Sequence, residues 1–250
     1  MNELNDKVVF ITGASSGLGE ASALVMAEQG ARIMLAGRDT SRLEKNRDAV
    51  RAIGVAAECV AFDVSDPQSC VKAIAECVNK LGQLDVLVNI AGAHQMRHTA
   101  DVSVAEWEQD LAVNLSGPFF LSQAAIPHLL SSKGNIVNVA SIAGLQGQSY
   151  SAGYCAAKHG LLGLTKSLAL EYTRSDLRVN AVCPGGMETP QITNLQLPED
   201  IDFELLMRSA ALRGMMNPTE VAEVIAFLAS DKAAAIHGAV YTVDQGKTVG

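Results

Sequence analysis

The stretch Val8–Gly19, VVFITGASSGLG, decides the fold expected for this chain. Its apolar run Val8–Ile11 leads into Gly13, Gly17 and Gly19, and apolar residues then recur with helical spacing. Strand, glycine turn and helix in this order bring backbone amides and a helix N-terminus together, where they can bind a diphosphate. The spacing GxxxGxG differs from the general dinucleotide fingerprint GxGxxG, so a tight turn without a ligand stays open as an alternative.

Strands and helices alternate along the rest of the chain. Further strands are predicted over Ala31–Ala36, Glu58–Phe62, Leu84–Ile90, Ile136–Ala140, Leu177–Val182 and Ala239–Val243. Helices are predicted over Ser41–Ile53, Asp66–Leu81, Val104–Leu130 with a bend near Gly117-Pro118, Gly153–Thr173 and Asn217–Ala229. The alternation predicts one α/β domain over residues 1–250, a doubly wound, Rossmann-like parallel sheet of about seven strands.

The segment 187–216, here called the lid, interrupts this alternation. It contains Pro190 and Pro198, and it predicts a short helix around Phe203–Arg213. A long connection of this kind is more often a substrate lid than a core element. Its apolar residues predict a deformable wall for a hydrophobic substrate, or else they pack the lid against the body: Ile192, Leu195, Leu197, Phe203, Leu205, Leu206, Met207, Met215 and Met216.

Composition and charge exclude several classes of function. The chain has 250 residues, of which 48% are hydrophobic and 18% charged, with a net charge of -8. Such a balance argues against nucleic acid or anionic membrane as a partner. Five cysteines without a CxxC pair predict reduced thiols and neither a disulfide framework nor a thiolate zinc site. The polar start and the lack of a membrane-length apolar run predict a cytoplasmic protein.

Tyr154 and Lys158 are four residues apart on the predicted helix Gly153–Thr173. This spacing puts both side chains on one helix face, where an ammonium group can favour the phenolate form of the tyrosine. A free tyrosine ionises near pH ~10, so a nearby cation suits it to proton exchange with an alcohol. The pair is weak by itself, since a half-buried ring beside a solvated ammonium is common.

Other motifs supply the context, because they follow one another in a fixed order. They are Thr12–Gly19, Asn89-Ile90-Ala91-Gly92, Asn114, Ser141, Tyr154, Lys158 and Pro184-Gly185. With these motifs the sequence resembles the classical short-chain dehydrogenase/reductase family over essentially the whole chain. The resemblance implies an NAD(P)-dependent oxidoreductase, which moves a hydride between the cofactor and the carbonyl or hydroxyl carbon of a ketone or secondary alcohol.

The resemblance also implies four catalytic residues. Tyr154 would donate a proton to the carbonyl oxygen or remove one from the alcohol. Lys158 would lower the pKa of that tyrosine and bond to the nicotinamide ribose. Ser141 would hold the substrate oxygen, as a neutral donor aimed at developing charge. Asn114 would bend its helix and hold a water molecule that relays protons from Lys158.

The cofactor residues are likewise implied by the resemblance. In chain order they are Gly13, Ser15, Ser16, Gly17, Leu18, Gly19, Arg38, Asp63, Val64, Asn89, Ala91, Gly92, Tyr154, Lys158, Pro184, Gly185, Met187 and Thr189. One position departs from the pattern, because relatives often carry a second asparagine where this chain has Ile90. That asparagine usually braces the central sheet, so altered packing is expected there.

The end of the second strand bears on the choice of cofactor. An acidic residue there accepts hydrogen bonds from a free ribose 2′-hydroxyl, whereas an arginine accommodates a 2′-phosphate. This chain has Gly37 followed by Arg38, which favours NADP(H) over NAD(H). Asp39 weakens the electrostatic argument, and stacking on the adenine or exposure to solvent are other roles for Arg38.

Several alternatives stay open at this point. Family members that reduce 3-oxoacyl groups on an acyl carrier protein tend to place arginines near the interface helices, where this chain has Ser132 and Ser175. A carrier-bound thioester is therefore the second choice of substrate. A cofactor-binding sensor or scaffold with little turnover is the alternative of another class. The long helices resemble the family's self-association surface, which predicts a homotetramer.

Metal binding and hydrolysis are disfavoured. His94 and His98 have a ligand-like spacing but lie in a predicted loop without a carboxylate-rich partner motif, so no metal site is predicted. They line the substrate entrance or have no role. No GxSxG elbow frames a serine, which argues against a hydrolase.

Overall fold

A seven-stranded parallel sheet forms the centre of the protein. The computed structural model describes residues 3–208, 210 and 213–249. The strands lie in the order β3-β2-β1-β4-β5-β6-β7, and their bounds are β1 Val8–Thr12, β2 Arg32–Gly37, β3 Ala57–Ala61, β4 Val86–Asn89, β5 Asn135–Val139, β6 Arg178–Pro184 and β7 Val240–Val243. The predicted doubly wound α/β sheet is therefore confirmed, with strand ends that differ from the prediction by a few residues.

Helices connect the strands and cover both faces of the sheet. Their bounds are α1 Gly17–Glu28, α2 Thr40–Ile53, α3 Pro67–Leu81, α4 Val104–Leu111, α5 Gly117–Ser132, α6 Ala152–Glu171, α7 Pro190–Thr193, α8 Phe203–Met207 and α9 Pro218–Ala229. Local sequence explains several of their starts. Asp66 caps α3 ahead of Pro67, and Ser103 forms a capping box with Glu106 at α4.

Apolar clusters lie on each face of the sheet. Val9 and Ile11 of β1 belong to the cluster that contains residues of α1 and α9. Val8 and Phe10 belong to the opposite cluster, with residues of α3 and α5. Side chains alternate between the two faces of a strand, and all five residues of β1 are buried. This burial on both faces explains the nearly continuous apolar run in the sequence.

The long helix predicted over Val104–Leu130 is divided by a π-helical turn. This turn spans Ala112–Ser116, between α4 and α5. The bend therefore comes from a widened helical turn, a few residues before the predicted Gly117-Pro118. Pro118 lies in the first turn of α5, where proline is tolerated. Gly117 permits close packing, because a Cβ there would lie 2.5 Å from the Val64 carbonyl oxygen.

A chain of buried hydrogen bonds crosses the sheet next to Ile90. The Asn89 side-chain amide donates to Asn138 Oδ1 at 2.8 Å, and the Asn138 amide donates to Thr165 Oγ1 at 2.9 Å. These bonds tie β4 to β5 and to α6. Ile90 packs against the apolar cluster beneath α1. The sheet is therefore braced at Asn89, and Ile90 contributes apolar packing at the position expected to differ from relatives.

The strand order reverses between β1 and β4, and this reversal positions the site. The chain leaves β1 towards one side of the sheet and leaves β4 towards the other, which opens a crevice beyond their carboxyl ends. Thr12 Oγ1 accepts hydrogen bonds from the backbone amides of Ile90 and Ala91, both at 2.9 Å. The glycine turn and the turn after β4 therefore form one rigid edge of the crevice.

The lid carries two short helices, α7 and α8. The helix predicted around Phe203–Arg213 occupies Phe203–Met207, and residues 209, 211 and 212 lie outside the described part of the chain. Within the described part, no helix has the length and apolar character needed to cross a membrane.

Candidate active site

One cleft of about 1330 Å³ lies over the carboxyl ends of the strands. Its wall brings together residues far apart in sequence, from the glycine turn, the turn after β4, the end of β5, the first turns of α6, the end of β6 and the lid. This is the crevice that the reversal of strand order opens, and ligands of open α/β sheets bind at such positions.

The glycine turn is shaped for a diphosphate. Gly13 and Gly17 have φ values of +68° and +57°, which residues with a Cβ rarely adopt. At Gly19 a Cβ would lie 2.2 Å from the carbonyl oxygen of Gly13, so only glycine lets α1 start this close to the turn. The start of α1 lines the cleft, and the first backbone amides of a helix have no partner within the helix. These features fit a nicotinamide dinucleotide, whose diphosphate would lie at the N-terminus of α1.

Most of the predicted cofactor residues line the cleft. They are Gly13, Ser15, Ser16, Gly17, Leu18, Gly19, Arg38, Asp63, Val64, Ala91, Gly92, Tyr154, Lys158, Pro184, Gly185, Met187 and Thr189. Asn89 does not share this position, because its buried side chain points into the sheet and bonds Asn138. Its role is to brace the turn, since the crossing hydrogen bonds use its amide.

Two arginines lie at the cleft near the end of β2, one directly after the strand and one in the first turn of α2. Arg38 and Arg42 both line it and are exposed. Asp39, the nearby acid, accepts a hydrogen bond from the Arg42 backbone amide at 3.1 Å and so caps α2. The same carboxylate pairs with the Arg42 guanidinium, with an Nε–Oδ2 distance of 3.3 Å. Asp39 is therefore engaged with its own helix.

Tyr154 lies in the first turns of α6 and is 7% exposed. Burial raises the pKa of its phenol to about 12, while hydrogen bonds from the Ser141 and Gln191 side chains act in the opposite direction. The lowering expected from Lys158 is not among the causes of this shift and stays a prediction. At neutral pH the phenol is protonated and hydrogen-bonded to Ser141, at the carboxyl end of β5.

Lys158 lies one turn further along α6 and is 3% exposed. Its ammonium donates to the Val139 carbonyl oxygen at 2.9 Å, and its Nζ lies 5.6 Å from the centre of the Tyr154 ring. Burial lowers the pKa of Lys158 to about 8. The ammonium is therefore held beside the tyrosine ring, with its hydrogen bond directed to the backbone of β5.

Asn114 lies behind the cleft wall, in the π-helical turn, and is fully buried. Its side-chain amide donates to the carbonyl oxygens of Ala93 and Asp110, each at 2.9 Å, and its Oδ1 accepts from the Ala93 amide at 3.1 Å. These three bonds fix the loop after β4. The water relay expected of Asn114 stays a prediction.

Comparison with known proteins agrees with this geometry. A family model described as Enoyl-(Acyl carrier protein) reductase matches residues 13–248. Meso-2,3-butanediol dehydrogenase of Serratia marcescens is 41% identical over 244 residues, which cover 98% of this chain and 95% of that protein. The chain is a classical short-chain dehydrogenase/reductase. It is therefore an oxidoreductase of the alcohol dehydrogenase or ketone reductase type that uses a nicotinamide cofactor.

Other similar proteins extend the comparison. Cyclohexanol dehydrogenase of an Acinetobacter strain is 36% identical over 249 residues, covering 99% of this chain and 97% of the relative. A crystal structure of a short-chain type dehydrogenase/reductase from Mycobacterium marinum superposes with a TM-score of 0.91 at 28% identity, covering 100% of this chain and 98% of that one. This short-chain dehydrogenase therefore shares the family's fold over its whole length.

The lid is less apolar at the cleft than its sequence predicted. Ile192, Leu195 and Leu197 line the cleft, but Phe203 and Met207 are exposed away from it. Met216 packs in the main core. This agrees with the alternative that some of the apolar lid residues pack the lid against the body. Side-chain amides share the wall with the three aliphatic residues: Gln95, Gln109, Gln148, Gln191, Asn194 and Gln196.

One residue beside Tyr154 was missed from the sequence. Gln191 of α7 hydrogen-bonds the Tyr154 hydroxyl, although it lies in a lid predicted to be apolar. His94, predicted either to line the substrate entrance or to have no role, lines the cleft and stacks on the Tyr154 ring, with 4.4 Å between ring centroids. Within the described residues, no cluster of three metal-ligating side chains occurs.

The depressed pKa of Lys158 predicts a pH-dependent stability. Between about pH 8, its pKa in the folded enzyme, and 10.5, its ordinary value, the unfolded lysine binds a proton that the folded one does not. The free energy of unfolding of wild type, relative to Lys158→Met, should therefore rise by about 3 kcal/mol across this window. Urea denaturation at several pH values measures it.

Lys166→Met is the matched control, because Lys166 is an exposed lysine on the same helix. Its difference from wild type should stay constant over the same pH range. A flat difference for Lys158→Met as well would show that burial of the ammonium does not depress its pKa.

Proposed function

We propose that this enzyme transfers a hydride between a nicotinamide cofactor, NADP(H) in preference to NAD(H), and the carbonyl or hydroxyl carbon of a hydrophobic ketone or secondary alcohol. The observation that carries the proposal is the Tyr154 hydroxyl, which meets the Ser141 side chain at the cleft with Lys158 one helical turn behind it. A protonated donor, a neutral hydrogen-bond partner and a buried cation are the groups that carbonyl reduction requires.

The residues divide the work as follows. The cofactor supplies the hydride when bound. In reduction, Tyr154 gives its hydroxyl proton to the substrate oxygen, and Ser141 stabilises the charge that develops there. In oxidation, Tyr154 accepts the alcohol proton, and the Lys158 ammonium favours the phenolate that must form first. Asn114 keeps the loop after β4 in place, since its amide bonds both backbone groups of Ala93.

The proposed substrate is a compact secondary alcohol or its ketone. Similar proteins are named for the oxidation of butanediol and cyclohexanol, which are secondary alcohols of small size. Ile142, Ile192, Leu195 and Leu197 give the cleft an aliphatic wall that suits such a carbon skeleton. The neighbouring side-chain amides can bond a further polar group of the substrate.

A carrier-bound 3-oxoacyl thioester is the second candidate, favoured by a relative from Thermotoga maritima that is named 3-oxoacyl-[acyl-carrier-protein] reductase and is 34% identical over 247 residues. An acidic carrier needs accessible cations near the cleft. Lys133 follows Ser132, one of the positions where carrier-binding family members tend to place arginine, and it pairs with Asp176 at 3.1 Å. The pairing reduces the charge available to a carrier, so a free ketone is the better first substrate. Competition between a free ketone and a 3-oxoacyl carrier thioester separates the two.

Replacement of the proton donor tests the reaction. Tyr154→Phe should lower kcat for ketone reduction by about 10²–10⁴-fold, because the acid is removed while the ring stays. The Kd for NADPH, measured by nicotinamide fluorescence, should change by less than about 2-fold. Tyr172→Phe, at the end of the same helix, is the matched control and should keep wild-type kcat.

Two results would overturn this assignment. One is a Tyr154→Phe enzyme with wild-type turnover. The other is a wild-type protein that binds NADPH but reduces no member of a panel of cyclic, aryl and short-chain ketones, which would support the sensor or scaffold alternative.

The preference for NADP(H) is supported by charge at the end of β2. Gly37 leaves no carboxylate at the position where a free ribose 2′-hydroxyl is usually bound. Arg38 and Arg42 line the cleft there, and Asp39 is engaged as the cap of α2. A 2′-phosphate would meet the Arg38 guanidinium, a strong donor to phosphate, while the Arg42 guanidinium is paired with Asp39.

Arg38→Ala should weaken NADPH binding by about 10–100-fold, since a hydrogen bond between charged groups contributes about 1.5–3 kcal/mol. Binding of NADH should change by less than about 2-fold, because it has no 2′-phosphate. Paired fluorescence titrations measure both, with Arg174→Ala as an exposed arginine control away from the cleft. Equal losses for NADPH and NADH would contradict the assigned role.

A homotetramer is the proposed assembly. Its support is apolar surface on the helices that follow β4 and β5: Val104 is 73% exposed and Leu170 76%, with Trp107 of α4 and Leu130 of α5 exposed as well. Light scattering should give a mass of about four times 26.3 kDa. A monomeric mass at working concentration would contradict the proposal.

The proposed location is the cytoplasm. All five cysteines are free thiols, and Cys70, Cys77 and Cys183 are buried in the core. Reduced, unpaired thiols suit a reducing compartment. Thiol labelling of the protein in intact cells, followed by fractionation, tests this location, and recovery outside the cytoplasmic fraction would contradict it.

A further inference from the structure

His94 lies in the loop after β4 and stacks on the ring of Tyr154. The two ring centroids are 4.4 Å apart, and the ring planes are inclined by 28°. Offset stacking at this distance is a favourable arrangement of two flat rings. His94 is only 9% exposed, and it lines the cleft beside the tyrosine. It therefore covers one face of the proton donor.

Ser151 holds the imidazole in place. The Ser151 hydroxyl donates to the Ser149 carbonyl oxygen at 3.1 Å, because a carbonyl oxygen can only accept. The Ser151 oxygen then accepts from His94 Nε2 at 2.9 Å. This pair of bonds assigns the proton of the neutral imidazole to Nε2.

The bond to His94 has a local cost. Ser151 is the N-cap residue of α6, the helix that carries Tyr154, yet its side chain makes no capping hydrogen bond. A serine cap contributes about 1 kcal/mol to a helix. Ser151 gives up this contribution, and such departures from the usual capping pattern are expected at functional sites. The hydroxyl that could cap α6 instead fixes the ring that lies against Tyr154.

The backbone around His94 is fixed on both sides. Asn114 bonds the amide and the carbonyl oxygen of Ala93, and the Arg97 amide donates to the Tyr150 carbonyl oxygen at 2.8 Å. The ring itself is neutral, because burial and the nearby Lys158 lower the pKa of His94 to about 4. A neutral imidazole can lie close to the buried ammonium without repelling it.

We propose that His94 is a positioning residue of this short-chain dehydrogenase, which holds the ring of Tyr154 so that the hydroxyl stays beside Ser141 and the substrate oxygen. The proposal rests on the proposed function, in which Tyr154 transfers the proton. Proton transfer depends steeply on geometry, and a displacement of about 1 Å can cost about 10²-fold in rate. A tyrosine packed on one face by a fixed ring has fewer orientations than one beside water.

The test compares three variants in the full-length protein with a ketone that the wild type reduces. His94→Ala removes the stacked ring and should lower kcat by about 10–100-fold. His94→Phe keeps a flat ring and should restore kcat to within about 3-fold of wild type. Ser151→Ala leaves the imidazole without its anchor and should give an intermediate kcat. The KM and the Kd for NADPH should change by less than about 2-fold in all three.

A double-mutant cycle with Tyr154→Phe separates positioning from general structural damage. Without the tyrosine hydroxyl there is no proton donor to position, so His94→Ala should cause no further loss in the Tyr154→Phe enzyme. A further loss as large as in wild type would overturn the proposal. A wild-type kcat in His94→Ala, or a kcat in His94→Phe as low as in His94→Ala, would do the same.

Two remaining outcomes are also decisive. If His94→Ala does not fold, Ser151→Ala carries the test, and an unchanged kcat in that variant overturns the proposal. If the wild type reduces ketones and the His94 variants keep the wild-type kcat, this inference fails while the proposed function stands. A wild type without any turnover means that the proposed function itself has failed.

Discussion

The site depends on the contact between α6 and the end of β5. Lys158 extends its buried ammonium across this contact to the Val139 carbonyl oxygen, at 2.9 Å. A buried cation without a partner is costly, so this bond fixes where α6 lies along the strand. At Gly144 a Cβ would lie 2.8 Å from the Lys158 carbonyl oxygen, which shows how closely the turn after β5 packs on the helix. Ser141 and Tyr154 meet because their two elements are held this tightly.

Side-chain amides and hydroxyls hold the rest of the catalytic wall. Asn89, Asn138 and Thr165 tie three elements together beneath the cleft. Asn114 does the same for the loop that carries His94. Each is buried, so its hydrogen bonds act in a low dielectric, where leaving one unmade is expensive. The enzyme thereby keeps the groups around Tyr154 rigid, as the proposed proton transfer requires.

The sequence predicted the frame of the site well and its details less well. The period of the apolar residues and the glycine turn predicted a doubly wound parallel sheet of about seven strands. The orientation of Asn89 and the make-up of the lid wall could not be predicted, because they depend on which way a side chain points after packing. Asn89 points into the sheet, and Phe203 points away from the cleft. Neither direction can be predicted from the residues that neighbour Asn89 or Phe203 in the sequence.

By itself, the sequence determined the elements, the order of the motifs and the membership of the family. These follow from local physics: apolar runs form buried parallel strands, glycines permit the turn before α1, and four-residue spacing puts Tyr154 and Lys158 on one helix face. Only the tertiary structure decided the protonated state of Tyr154, the use of Asp39 as a helix cap and the stacking of His94 on the Tyr154 ring. Burial and contacts between residues 60 apart in sequence, as between His94 and Tyr154, arise only when the sheet brings the ends of distant strands together.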